Sequence, residues 1–150
     1  MVFSRRASLA SLALAAAAAL AGITGCASMK SSTVTLGATL NGASEVPANT
    51  STGSGTAQVW LNKDTNLLKW KVEYSGLSGP ATAAHFHGPA EPGKNTAPVV
   101  PFKPPVTSPI EGEATLTAAQ AADLLAGKWY VNVHTAKAPG GEIRGQVMPR

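Results

Sequence analysis

The chain holds three histidines, and they fall in two places: His85 and His87 in Ala84-His85-Phe86-His87, and His134 in Val133-His134-Thr135. Side chains two apart in an extended segment share a face, so His85 and His87 point one way and Phe86 the other. His134 ends a run in which Trp129, Val131 and Val133 alternate with Tyr130, Asn132 and His134. That puts it on the polar side of its segment. If the two segments pair or face each other, three imidazoles converge. Neutral imidazoles on strands can hold copper or zinc and leave a fourth position for water, a carboxylate or a substrate. One copper or zinc ion is therefore the expected cofactor, with His85, His87 and His134 as its ligands. The alternative is three ordinary polar strand residues that satisfy hydrogen bonds without an ion. Met148 is the one soft ligand candidate near this region.

Glu142 and Arg144 are also two apart, in Gly140-Gly141-Glu142-Ile143-Arg144-Gly145-Gln146. Alternation places both opposite Ile143, near a sheet edge, and they read as a structural polar pair whose network reaches Glu45. No residue is assigned to catalysis. There is no Gly-x-Ser-x-Gly elbow, and the glycines punctuate strands instead of forming a phosphate loop. An oxidoreductase working through the metal ranks behind two non-enzymatic readings, a metal-binding protein and a metal-free interaction module.

The elements that must position these residues are mostly strands. Val34, Leu36, Ala38 and Leu40 alternate with Thr35, Gly37 and Thr39, the period of a half-buried strand. Residues 55–61 form a second strand, and the turn Asn62-Lys63-Asp64-Thr65-Asn66 joins it to a third, where Leu68, Trp70, Val72 and Tyr74 alternate with Lys69, Lys71 and Glu73. Residues 82–87 read as a strand carrying the first two histidines. Seven prolines between 89 and 109 predict a long ordered loop, with short extended pieces near Val99 and Phe102. Strands follow at 111–116, 128–135 and 142–148. Residues 117–126 are the one predicted helix, capped by Thr117 with Gln120 three residues on and ended by Gly127. The expected fold is all-β: an antiparallel, Greek-key-like sandwich or barrel of about seven short strands with one short helix.

The N-terminus has another composition. Arg5 and Arg6 precede an Ala/Leu-rich run from about Leu9 to Ala21. That run is short of the roughly 20 residues of a membrane span and has the layout of a secretory signal. Ile23-Thr24-Gly25-Cys26 then resembles the lipobox of bacterial lipoproteins. The resemblance implies a signal peptide over 1–25 and lipidation at Cys26, the only cysteine. Ala27 in place of Asp implies the outer membrane, facing the periplasm or the surface. Residues 26–33 read as a tether and 34–150 as the domain. Arg5 and Arg6 leave with the signal, so two of the 12 basic residues are lost and the balance against 8 acidic ones falls near +2. With so little excess charge, nucleic acid is not an expected partner.

Four segments taken together resemble the CHRD domain, first noted as a repeat in chordin and found alone in bacterial exported proteins. They are Leu40-Asn41-Gly42-Ala43-Ser44-Glu45-Val46-Pro47, Ala84-His85-Phe86-His87-Gly88-Pro89-Ala90, Leu125-Ala126-Gly127-Lys128-Trp129-Tyr130-Val131-Asn132-Val133-His134-Thr135, and Pro139-Gly140-Gly141-Glu142-Ile143-Arg144-Gly145-Gln146-Val147. Ala48 departs from the second Pro often found after Pro47. The resemblance implies an all-β domain and, through chordin, a role in binding other proteins. An envelope protein is thus a candidate partner beside the membrane. The His-x-His strand is also similar to the copper strand of Cu/Zn superoxide dismutase. The further ligands of that enzyme's second metal are absent, so its activity does not carry over.

Overall fold

The computed structural model describes Met1 and residues 32–150. The expected signal peptide, Cys26 and most of the tether lie outside the described residues. Eight strands and one α-helix follow in order: β1 Thr33–Asn41, β2 Ser54–Asn62, β3 Leu67–Ser75, β4 Ala81–His87, β5 Pro98–Pro101, β6 Ile110–Thr115, α1 Ala118–Leu125, β7 Trp129–Thr135 and β8 Ile143–Pro149. A 3-10 turn, Gly42–Ser44, follows β1. Among the described residues no helix is long and apolar enough to cross a membrane.

The strands make one antiparallel sheet in the order β5-β4-β7-β8-β1-β2-β3-β6. The sheet curls into a nearly closed barrel. Its two edges, β5 and β6, face each other across a cleft of about 500 Å³ lined by Trp70, Val100, Gly112 and Leu116 among others. The expected all-β architecture with a single short helix is what the described residues adopt. The helix has the expected capping box: Thr117 accepts from the Gln120 backbone N–H, and the Gln120 side chain accepts from the Thr117 N–H. Gly127, at φ +73°, ends it in the left-handed region that favours glycine.

The strand beyond the expected seven is β5, inside the proline-rich stretch. Proline lacks a backbone N–H, so it suits an edge strand, where one side needs no partner. Pro98 and Pro101 bracket β5, which pairs with β4 alone. A second difference concerns β8. It lies between β7 and β1, so Glu142 and Arg144 stand near the middle of the sheet, not near its edge.

Alternation fills the interior. Leu36 and Leu40 from β1, Val59 and Leu61 from β2, and Leu68, Trp70 and Val72 from β3 are buried, as are Phe86, Trp129, Val131 and Val133. An aromatic cluster anchors the site-bearing strands: Phe86 meets Trp70 edge-on at 5.4 Å and Phe102 at 5.0 Å between ring centroids. The other face of β7 is buried too. The segment 88–97 crosses it, tied down by the Ala90 N–H to the Lys128 carbonyl at 2.7 Å and by the Thr96 N–H to Tyr130 Oη at 3.3 Å. The barrel thus carries a second, polar layer between β4, β7, β8 and this proline-rich roof.

Candidate metal centre

The three histidines meet in that polar layer. β4 and β7 are neighbours, with His85 opposite Asn132 and His87 opposite Tyr130. With Phe86 turned into the core, its two neighbours must face outward, beside the outward residues of β7. One nitrogen from each of His85, His87 and His134 lies within 4.8 Å of the other two. The rings of His85 and His134 are 4.9 Å apart, and those of His85 and His87 are 5.5 Å apart.

Carbonyl oxygens fix the protons. His87 Nδ1 lies 2.8 Å from the Thr96 carbonyl, and His134 Nδ1 lies 3.0 Å from the Pro139 carbonyl. A carbonyl only accepts, so each Nδ1 is the donor, and a neutral ring then bears its lone pair on Nε2. Holding one ring nitrogen on a backbone carbonyl is the usual way a protein orients a ligating histidine. The two Nε2 atoms turn to a common point, 3.0 Å and 2.9 Å from Asn132 Oδ1. His85 Nδ1 approaches His134 Nε2 to 3.2 Å. Two imidazole nitrogens on one tetrahedral ion, each bonded at about 2.0–2.1 Å, stand roughly 3.3 Å apart.

Electrostatics favours the ligating form. Burial holds all three histidines below the usual imidazole value, and the charges of neighbouring rings lower His85 and His134 further. For His87, Arg144 adds to the lowering while the Thr96 carbonyl opposes it. Neutral imidazole is the form that binds a metal. Half-exposed His85 opens the cluster to the outside; His87 and His134 are buried.

A second ring of side chains supports the first. Tyr130 stacks on His87 at 4.5 Å and 7° between planes, and the Arg144 guanidinium sits 3.4 Å from the centre of the Tyr130 ring. Arg144 donates to Asn95 Oδ1 at 2.8 Å and to the Lys94 carbonyl at 2.7 Å. Asn95 in turn donates to the Val46 carbonyl at 2.8 Å. Glu45 is buried nearby, and burial pushes its carboxyl up to about 7 against the pull of Arg144.

Among the described residues no ion pair joins Glu142 to Arg144. Glu142 precedes the first residue of β8, Ile143, so strand alternation does not govern it. Its carboxylate instead accepts from Ser51 Oγ at 2.8 Å, from the Ser78 N–H and Oγ at 2.7 Å each, and from Thr135 Oγ1. Burial alone would raise this carboxyl, yet those donors hold it at about 2. Met148 stands apart from the histidines, exposed and packed beside Gly127.

Asn132, Tyr130, Thr96 and Glu45 surround the centre, and no motif or spacing assigned them to a metal site. Period-two alternation does put Tyr130 and Asn132 on the face of His134. Thr96 and Glu45 lie in loops, and only the folded chain brings them there. The family model of the CHRD domain matches residues 36–147. No curated protein and no solved structure matches the chain.

Proposed function

The chain belongs to the CHRD domain family, and from that footing we propose a membrane-tethered envelope lipoprotein whose domain binds one copper or zinc ion through His85, His87 and His134. The observation that carries the metal reading is the convergence of three ligand nitrogens within 4.8 Å, with His87 and His134 each held by Nδ1 on a carbonyl. Such prior orientation lowers the cost of assembling the site. Isothermal calorimetry on the full-length chain in detergent, with Cu²⁺ and Zn²⁺, tests it against the variant with all three histidines replaced by Ala. One bound ion is expected for the native chain and none for the variant. Equal weak heats would leave the histidines as ordinary strand residues. The second reading, a metal-free interaction module, would then lead, supported by the two unpaired edges β5 and β6 beside their cleft.

The tether rests on the order of charge, apolar run and lipobox that ends at Cys26. Lipid on Cys26 would hold the domain at the membrane, in the outer one on the strength of Ala27. Cys26→Ser should give an unlipidated chain that is no longer processed at this position. Mass spectrometry of the N-terminus reads this directly, and a Cys26→Ser protein with normal cleavage and firm membrane attachment would refute it.

A further inference from the structure

We propose that Asn132 is the fourth donor of this centre, through Oδ1, and that the completed set of three nitrogens and one oxygen selects a divalent ion over monovalent copper. This rests on the metal reading above. With the protons of His87 and His134 committed to the Thr96 and Pro139 carbonyls, neither neutral ring has a hydrogen on Nε2. Both Nε2 atoms nonetheless lie at contact distance from the Asn132 oxygen, at 3.0 Å and 2.9 Å. Three lone-pair atoms therefore face one another in a buried layer, and the one ring nitrogen beside them that can carry a hydrogen toward them is His85 Nδ1, 3.2 Å from His134 Nε2. Unshared acceptors in such a place repel, and the low local dielectric strengthens the repulsion. A cation among them reverses the sign. The other end of the amide, Nδ2, lies on the side of the Glu45 carboxyl, and Oδ1 is the end turned to the histidines.

The donor types set the selectivity. Imidazole suits copper and zinc, and an amide oxygen is a hard donor suited to divalent ions. Monovalent copper prefers thiolate or thioether sulfur. Among the described residues no sulfur converges on this point; Met148 packs at Gly127.

The test uses the full-length chain in detergent, titrated with Cu²⁺ in air and with Cu⁺ under argon, each against a competing chelator. Asn132→Leu, which keeps the volume and removes the oxygen, should weaken Cu²⁺ about 10–100-fold, while Asn132→Asp restores it. Native protein should hold Cu²⁺ at least tenfold more tightly than Cu⁺. Electron paramagnetic resonance of Cu²⁺-loaded native protein in ¹⁷O-enriched water gives a check free of any variant. An unbroadened signal is expected if Asn132 fills the fourth place. Broadening would put water there and overturn the proposal. Native-like Cu²⁺ affinity in Asn132→Leu, with the histidines still required, would overturn it while leaving the three-histidine reading intact. Absence of binding to native protein would remove that reading as well.

Discussion

Two buried glutamates stand on opposite sides of the ordinary carboxyl range, and their partners decide which side. Glu45 meets few donors and is pushed up to about 7. Glu142 meets hydroxyls and an amide from two loops and the end of β7 and is held at about 2. Such a lowered carboxyl stabilises the fold fully above its unfolded value, near 4.5, and that contribution is lost as pH falls through about 2. Glu142→Gln keeps the shape and removes the charge that four donors address. It should cost about 1–3 kcal/mol at pH 7, with the difference from native shrinking as pH drops below 4.5. Urea denaturation at pH 7 and pH 3 measures both. An equal loss at the two pH values would mean that packing, not charge, makes the position sensitive.

At the scale of the element, period two carried most of the reading. It revealed β1, β3 and β7, and it put His85, His87 and His134 on the outward faces of strands. The capping box in Thr117-Ala118-Ala119-Gln120 was equally plain, because both its partners lie within one turn. β5 was legible only as a short extended piece near Val99 within a loop, not as a strand of the sheet. Proline density argues against a central strand, and whether Pro98 and Pro101 sit at an edge is settled only by the closing of the sheet. The polar face of β7 would read as solvated, yet the segment 88–97 roofs it, a contact between parts of the chain some forty residues apart. The same limit hid Asn132: its place in the centre follows from the β4–β7 register. One further position follows from strand pairing. A Cβ at Gly145 would collide with the Thr39 carbonyl and Ala38 of β1. Gly145→Ala should therefore push β8 from β1, at about 1–3 kcal/mol, and lower Tm by several degrees. Unchanged melting would show that the β1–β8 seam has slack.

Across the whole molecule, a metal at the proposed β4–β7 site would link the roof to the wall, since Thr96 and Pro139 hold His87 and His134 from outside the strands. Bound ion should stabilise by mass action, about 2.7 kcal/mol at a hundredfold excess over Kd. The native chain should show a Tm rise with Cu²⁺ or Zn²⁺ that the triple His→Ala variant lacks. Burial keeps the three imidazoles deprotonated in the fold below their ordinary 6.5. Protons therefore reach the unfolded chain first as pH falls, and the metal-free fold loses stability below about 6.5. Protonation of the folded rings sets in lower still, and there the metal-dependent rise should fade. Scanning calorimetry from pH 8 downward follows both effects, and the pH at which the rise fades reads the protonation of the folded rings; a rise that persists in the triple His→Ala variant would exclude imidazole ligands. The sheet order has a consequence in time. Of the eight strands, β5-β4-β7 and β1-β2-β3-β6 are hydrogen-bonded to one another only through β8, the last to be made. Until β8 has been made, the chain can build two separate pieces of wall and cannot join them. Closure waits for β8, so a thread that must first cross a membrane, as proposed above, stays unlocked until 143–149 have joined it.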